Sequence, residues 1–159
     1  MFFPTQVTAI VGLLRIQFEL GLINRTWGLV FPYVALTVAI SIFVMRSMFQ
    51  LVSREIVDSA RIDGASPLRT LAEIVLPIVR NGVVVVIILN FSAAWGEYLL
   101  ADTLMNDWRT RTLAVFVGRV GPGPGAAAIY MIALVPALIV FGIAQHWFFR
   151  GLQEGAIKG

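Results

Sequence analysis

The sequence carries, at residues 27–45, the uncharged stretch WGLVFPYVALTVAISIFVM. A membrane-spanning helix needs about 20 mostly apolar residues to cross about 30 Å of hydrocarbon, and this stretch has that length and composition. A helix also pairs its own backbone polar groups, which no water satisfies inside lipid. Residues 27–45 therefore predict a transmembrane helix.

The whole chain has the composition of a membrane protein. Of its 159 residues, 58% are hydrophobic and 13% are charged, whereas soluble domains average about 45–50% apolar and about 25% charged residues. So few charges cannot supply the polar surface that a soluble domain of this length needs. The absence of cysteine excludes disulfides, zinc–thiolate sites and cysteine nucleophiles.

The sequence also lacks the means to hydrolyse ATP. A phosphate-binding loop needs a Gly-Lys pair at the start of a helix, and the only lysine is the penultimate residue, Lys158. We therefore expect no enzymatic activity, no metal site and no cofactor in this chain. The single histidine, His146, is expected to lie at the membrane interface next to Trp147.

Three further stretches have the character of membrane spans. Residues 126–149 are uncharged, and residues 82–101 carry one charge, Glu97, near one end. Residues 4–22 are long enough, but Arg15, Gln17 and Glu19 form a polar stripe in their second half. We interpret them as a span whose outer end is polar or packed against protein, and an amphipathic surface segment is the alternative. Arg15 and Glu19 are spaced to pair on one helix face. The sequence predicts an all-α, polytopic transmembrane bundle of about four spans.

The distribution of arginine predicts the orientation. Cytoplasmic loops carry excess Lys and Arg, and residues 46–80 contain five arginines, followed by Arg150 and Lys158 after the last span. The loop 102–125 carries three arginines and ends in GPGPG, which indicates an ordered approach to the next helix. We expect residues 46–80 and the C-terminus to be cytoplasmic.

Residues 54–77, REIVDSARIDGASPLRTLAEIVLP, predict a helical hairpin in the cytoplasm. Residues 54–63 favour a helix, with Arg54 and Asp58 at pairing distance along it. Gly64 is suited to the left-handed conformation that ends a helix, and Ser66-Pro67 is suited to begin the next, which Pro77 stops or kinks. The hairpin is either an ordinary solvated loop or a helix that docks into a groove of a partner protein.

Polar residues within the predicted span 82–101 are candidates for a translocation pathway, because polar groups in a membrane are costly. Asn90 and Glu97 are seven residues apart and would share a helix face, with Ser92 nearby. The alternative assigns Asn90 to hydrogen bonding between helices and Glu97 to the interface.

One run of the hairpin resembles a known signature. EIVDSARIDGAS followed by IVLP is similar to the "EAA" motif of importer-type ABC permeases: Asp58-Ser59-Ala60 stand at the triad, Gly64 at its glycine, and Ile74, Leu76 and Pro77 at its end. Four stretches resemble the carbohydrate-uptake, maltose-type branch of these permeases: ARIDGAS, LGLINRTWGLVFPY, WGEYLLA and the terminal RGLQEGAIKG. The resemblance covers essentially all 159 residues.

The resemblance implies a permease subunit of a binding-protein-dependent, ATP-driven importer for a sugar, multi-pass in a bacterial inner membrane. It makes the hairpin the element that couples the membrane domain to a cytoplasmic ATPase dimer. It also implies a second permease subunit and an extracytoplasmic sugar-binding protein as partners, and no nucleic acid. The expected ATPase-coupling residues are Glu55, Asp58, Ser59, Ala60, Asp63, Gly64, Ala65, Leu76 and Pro77.

The sequence departs from the family pattern in three ways. Asp58-Ser59 replaces Glu-Ala, Leu68 and Leu71 stand where aromatics are frequent, and the chain matches only the C-terminal part of a six-span permease. We therefore expect residues 1–159 to be a partial transmembrane domain, functional with a partner permease and its own N-terminal spans restored. The alternatives are a permease for another solute, a non-transporting scaffold or degenerate fragment, and a secondary transporter. For Glu55 and Asp58, the alternative to a role in coupling is that they are solvated charges on the helix face.

Overall fold

The structure is a computed structural model that describes the backbone of residues 6–156 and the side chains of residues 10–145. The predictions for the side chains of His146, Arg150 and Lys158 lie outside this range. Every regular element within residues 6–156 is helical, as the sequence predicts. The helices are α1 (Gln6–Glu19), α2 (Thr26–Gln50), α3 (Arg54–Ile62), α4 (Pro67–Thr70), a π-helix (Leu71–Val75), α5 (Leu76–Ile78), α6 (Arg80–Trp95), α7 (Leu99–Leu104), α8 (Leu113–Arg119) and α9 (Ala126–Ala156).

Two helices in the described part of the chain are long and apolar enough to cross a membrane. They are α2 and the Ala126–Gln145 part of α9, so the stretches predicted at 27–45 and 126–149 are helical and, by length and composition, remain candidate spans. At 1.5 Å per residue the 25 residues of α2 extend about 37 Å. The described α1 has 14 residues, or about 21 Å, so a fourth span there stays a prediction.

The predicted span at 82–101 is not one continuous helix. Helix α6 ends at Trp95 and α7 begins at Leu99, so Glu97 lies in the break and does not share a helix face with Asn90. Among the described residues, a third candidate span results when the bent pair Pro67–Ile78 and Arg80–Trp95 is counted as one. The sequence of 82–101 does not reveal this break, because the residues on both sides of it are equally apolar.

The chain divides into two compact units. One comprises the described residues up to Thr37 together with Ser92–Leu138, and the other comprises Val38–Phe91 together with the described residues from Ile139. The first unit has a buried apolar core, against which Leu14, Ile23 and Tyr33 pack. Its fully or nearly buried members are Leu29, Ala101, Leu104, Met105 and Val115.

The three residues of the predicted polar stripe on α1 lie on two different faces of the helix. Arg15 and Glu19 form the expected ion pair at 3.2 Å on the exposed face, but Gln17 is buried, with only 3% of its surface exposed. Because residues two apart on a helix point to nearly opposite sides, Gln17 faces inward while the ion pair faces outward. A Cβ on Gly28 would meet the Leu22 carbonyl and Gln17 Oε1, so α2 passes this segment without room for a side chain.

The loop after α7 is ordered, as predicted. Asn24, in a left-handed conformation, accepts a hydrogen bond from the backbone N–H of Asp107 at 2.9 Å. Arg119 at the end of α8 pairs with Asp102 at 2.6 Å, and this hydrogen bond raises the pKa of Arg119 above its ordinary value. The loop 102–125 is therefore held at two points within its own unit.

Candidate functional site

The turn of the hairpin at 54–77 is closed by a Schellman motif. Gly64 has φ +79°, a conformation that costs glycine little and other residues more. Its N–H donates to the Arg61 carbonyl at 3.0 Å, and the N–H of Ala65 donates to the Ala60 carbonyl at 2.9 Å. These are the two bonds that define the motif, so α3 ends where the sequence predicts.

The beginnings of α3 and α4 are both capped by serine. Ser66 accepts a hydrogen bond from the backbone N–H of Arg69 at 3.3 Å, with Pro67 at the first helical position, as predicted. Ser53 accepts one from the N–H of Glu55 at 3.2 Å, a cap that was not predicted from the sequence. Each serine cap contributes about 1 kcal/mol, so the hairpin has a defined geometry.

The charges along the hairpin pair differently from the prediction. Asp58 pairs with Arg61 at 3.5 Å rather than with Arg54, and Arg69 pairs with Glu73 at 2.8 Å. Both pairs are exposed on the helix surface, where ion pairs contribute at most about 1 kcal/mol. The acidic side chains therefore remain accessible to a partner.

Most of the predicted coupling residues lie at the surface. Glu55, Asp58, Ser59, Asp63, Gly64, Leu76 and Pro77 are exposed, and Ala65 is half-buried. Ala60 is the exception, with 4% of its surface exposed, so it contributes internal packing. Two apolar side chains beside the turn were not among the predicted site residues: Ile62 is 86% exposed and Leu68 is 78% exposed.

The second helical arm of the hairpin leads directly to α6 through an irregular segment. After α4 the backbone widens into the π-helix, and α5 contains Pro77. A bend of 76° then separates Pro67–Ile78 from Arg80–Trp95. Proline and π-helices are recognised causes of sharp helix bends. The helix therefore continues past Pro77 to Ile78 and bends immediately afterwards, close to the kink that the sequence predicts.

Glu97 is a buried carboxylate, with 7% of its surface exposed. Its Oε1 accepts a hydrogen bond from the N–H of Leu100 at 2.8 Å, and its Oε2 accepts bonds from the N–H of Ala101 at 3.0 Å and the phenol of Tyr33 at 3.0 Å. The carboxylate thus caps the start of α7, where the helix dipole favours negative charge. Tyr33 was not singled out from the sequence, because nothing in the sequence places it beside Glu97.

A cavity of about 200 Å³ opens beside this carboxylate. Its polar members are Tyr33, Thr37 and Glu97, and Leu36, Ala93 and Ala94 complete its lining. Glu97 therefore borders an open space as well as capping α7.

The other two pathway candidates, Asn90 and Ser92, lie on α6 itself. The Asn90 amide donates to Ser41 Oγ at 2.9 Å and to the Val86 carbonyl at 2.8 Å. Its described contacts therefore correspond to the alternative of helix–helix hydrogen bonding. Ser92 is exposed.

The apolar helices and the capped polar hairpin together have the character of a helical membrane protein. The chain belongs to the family described as binding-protein-dependent transport system inner membrane component, whose signature matches residues 1–154.

The chain is similar to three curated transport system permease proteins. The chain is 33% identical to a trehalose/maltose transport system permease protein of Thermococcus litoralis, over 99% of this chain and 58% of the relative. It is 32% identical to a sulfoquinovosyl glycerol transport system permease protein of Agrobacterium fabrum, over 96% and 55%. It is 29% identical to an sn-glycerol-3-phosphate transport system permease protein of the same organism, over 88% and 51%. The chain thus spans a little over half the length of these relatives.

Proposed function

We propose that this chain is part of the permease of an ATP-driven importer and that the hairpin at 54–77 couples it to a separate ATPase subunit. The observation that carries the proposal is the turn itself. Schellman bonds at Gly64 and the cap at Ser66 fix the angle between α3 and α4. A rigid, exposed helical hairpin transmits a displacement that a flexible loop would absorb.

The exposed surface of the hairpin suits a groove on a partner protein. Ile62 and Leu68 offer apolar anchors beside the turn, and helices docked in grooves use such anchors. The carboxylates of Glu55, Asp58 and Asp63 lie on the same hairpin, where basic groups of an ATPase would pair with them. On the alternative view, these carboxylates are only solvated.

The bend after the hairpin supports a mechanical role. A push on the turn passes through α4, the π-helix and α5 to the start of α6. We propose that the irregular segment Leu71–Ile78 serves as the hinge at which the motion of the hairpin changes the orientation of α6. Ser92 and Glu97 would then belong to the wall of the path, with the cavity beside Glu97 as part of it. Asn90, the third candidate, would instead bond α6 to α2 through Ser41.

The proposed cargo is a sugar or a similar hydroxyl-rich solute. The names of the relatives support this class, since they refer to trehalose and maltose, sulfoquinovosyl glycerol and sn-glycerol 3-phosphate. The proposed partners are a second permease chain, an ATPase dimer and an extracytoplasmic binding protein. The hairpin and the C-terminus are proposed to be cytoplasmic, with ATP hydrolysis and its cofactors left to the ATPase.

The proposal is tested by capture of the ATPase subunit encoded near the gene, using the full chain in detergent. We expect capture by the native chain and its loss in Ile62→Asp, because a charge replaces an apolar anchor. Leu51→Asp is the matched control, since Leu51 is a similarly exposed apolar residue outside the hairpin. Equal capture by both variants would contradict docking through the turn.

A second variant tests coupling rather than binding. Gly64→Pro cannot adopt the φ of +79°, because proline fixes φ near −65°. We expect it to abolish transport-stimulated ATP hydrolysis in the complete importer while the chain remains in the membrane. Unchanged stimulation would overturn the coupling role, and ATPase capture without any transport by the complete set would favour the scaffold alternative.

A further inference from the structure

Two open grooves meet at the end of α2 that precedes the hairpin. The first has a volume of about 570 Å³ and lies along one face of α2, and the second has a volume of about 490 Å³ and lies between the end of α2, α3 and the π-helix. The first is lined by Ile42, Met45, Arg46, Phe49 and Gln50, and the second by Phe49, Val52, Arg54, Val57, Asp58, Arg61 and Val75. Phe49 is common to both, so the grooves adjoin.

The combined groove carries a net positive charge. Arg46, Arg54 and Arg61 line it, and Asp58 is its single acidic member. Asp58 pairs with Arg61 at 3.5 Å on an exposed surface, which leaves that guanidinium free to bind another anion. Within the described residues, no carboxylate lies within ion-pair distance of Arg46 or Arg54.

With residues 27–45 of α2 in hydrocarbon, this charge would lie at the depth where a bilayer changes to head groups. Residues 27–45 of α2 are uncharged, and Arg46 is the first charge after them. The groove therefore runs from the apolar side chains of Ile42 and Met45 to the guanidinium groups of Arg46 and Arg54. A phospholipid has the same order, an acyl chain followed by a phosphate.

We propose that this groove binds one anionic phospholipid. Its acyl chain lies along the Ile42, Met45 and Phe49 face of α2, and its phosphate is held by Arg46 and Arg54, with Arg61 beyond. The general excess of positive charge on the cytoplasmic side explains why arginines occur at this end of α2. It does not explain why three of them line a single groove whose other lining residues are largely apolar. Basic pockets of this kind hold anionic head groups.

Such a lipid would support the base of the hairpin. It would contact α2 through Phe49 and Val52, α3 through Arg54 and Val57, and the π-helix through Val75, all of which line the groove. The inference requires that α2 spans a membrane, and it does not depend on coupling to an ATPase. Its failure and the failure of the proposed function are therefore distinguishable.

The test is native mass spectrometry of the full chain purified in neutral detergent. The chain is equilibrated with equal amounts of phosphatidylglycerol and phosphatidylcholine that have the same acyl chains. Since a basic residue near an anionic lipid surface contributes about fivefold in affinity, the two arginines at the phosphate should together favour retention of phosphatidylglycerol by about 25-fold. Equal retention of the two lipids would overturn the proposal.

Variants tie this selectivity to the groove. Arg46→Gln with Arg54→Gln should lower the selectivity about 25-fold, whereas Arg25→Gln with Arg109→Gln, which removes the same charge elsewhere, should not change it. Asp58→Asn should raise it. Loss of selectivity in both double variants would overturn the assignment, because it would show a response to total charge alone.

Two further controls complete the test. Arg46→Lys with Arg54→Lys keeps the charge and should keep most of the selectivity; a loss as large as that in the Gln pair would contradict an electrostatic site. Soluble glycerol phosphate at the lipid concentration should not displace phosphatidylglycerol, because it lacks the acyl chain. Displacement would assign the arginines to a soluble anion and overturn the lipid site.

Discussion

The phenol of Tyr33 donates a hydrogen bond of 3.0 Å to the carboxylate of Glu97, which stands 64 residues later in the chain. The same carboxylate accepts the N–H groups of Leu100 and Ala101. A buried charge is expensive unless donors surround it, and here three donors do so. Glu97 therefore joins α2 to the start of α7 within one compact unit.

Glu97→Ala is expected to destabilise this unit strongly. The variant leaves the N–H groups of Leu100 and Ala101 and the phenol of Tyr33 without their acceptor, so we expect a loss of about 2–4 kcal/mol in the free energy of unfolding. Tyr33→Phe removes one bond and should cost about 1 kcal/mol. Thermal unfolding in detergent measures both.

The control for this prediction is Ser92→Ala, which changes an exposed polar residue near the end of α6. We expect the unfolding midpoint of this variant to match that of the native chain. A larger loss in Tyr33→Phe than in Glu97→Ala would show that the carboxylate is not the centre of the network.

Asn90 is expected to act in helix packing rather than in solute binding. Because its amide donates to Ser41, Asn90→Ala should lower stability by about 0.6–1.7 kcal/mol, the range for such bonds in membranes. Ser41→Ala should cost a similar amount, and the double variant should cost less than the sum because the two residues share a bond.

The transport assay separates the two roles of Asn90. If Asn90 acts in packing, Asn90→Ala in the complete importer should leave the solute concentration for half-maximal uptake unchanged. A rise of tenfold or more in that concentration, with unchanged stability, would place Asn90 in the pathway instead.

Two helical glycines provide a matched pair of substitutions. A Cβ on Gly28 would collide with the backbone carbonyl of Leu22, whereas a Cβ on Gly82 would meet the flexible side chain of Met48. We expect Gly28→Ala to lower the free energy of unfolding by about 1–3 kcal/mol, as overpacking does. Gly82→Ala should cost less, because Met48 can change its rotamer.

Gly12→Ala is the reference for this pair, since a Cβ at Gly12 meets no atom within 4 Å. We expect this variant to be neutral or slightly stabilising because alanine has the higher helix propensity. Unfolding midpoints in detergent rank the three variants, and equal effects of Gly28→Ala and Gly82→Ala would contradict the close approach at Leu22.

The orientation of the chain is tested by single cysteines, because the native chain has none. Leu68→Cys is preferred to a change at Ser66, whose hydroxyl caps α4. With residues 46–80 in the cytoplasm, an impermeant thiol reagent applied to intact cells should label Asn106→Cys and not Leu68→Cys. Permeabilised cells should show both labelled, and the reverse pattern in intact cells would invert the topology.

The hairpin was predictable from sequence because its signals are local. Gly64, Ser66 and Pro67 act through bonds to residues within five positions along the chain, so the residue order contains the whole motif. The same holds for the ion pair of Arg15 with Glu19. The pairing of Asp58 with Arg61 instead of Arg54 was not predictable, since both spacings are compatible with a helix.

The apolar helices over 27–45 and 126–149, the helical class and the capped turn at Gly64 were determined by the sequence alone, because solvation of apolar side chains and backbone sterics act residue by residue. The break at Gly96–Tyr98, the burial of Gln17 and the bonds of Glu97 to Tyr33 were decided only by the tertiary structure. The lining of the groove by Arg46, Arg54 and Arg61 was decided in the same way. Each of these features depends on which distant side chains meet, and a buried carboxylate in particular is stable only where folding brings donors to it.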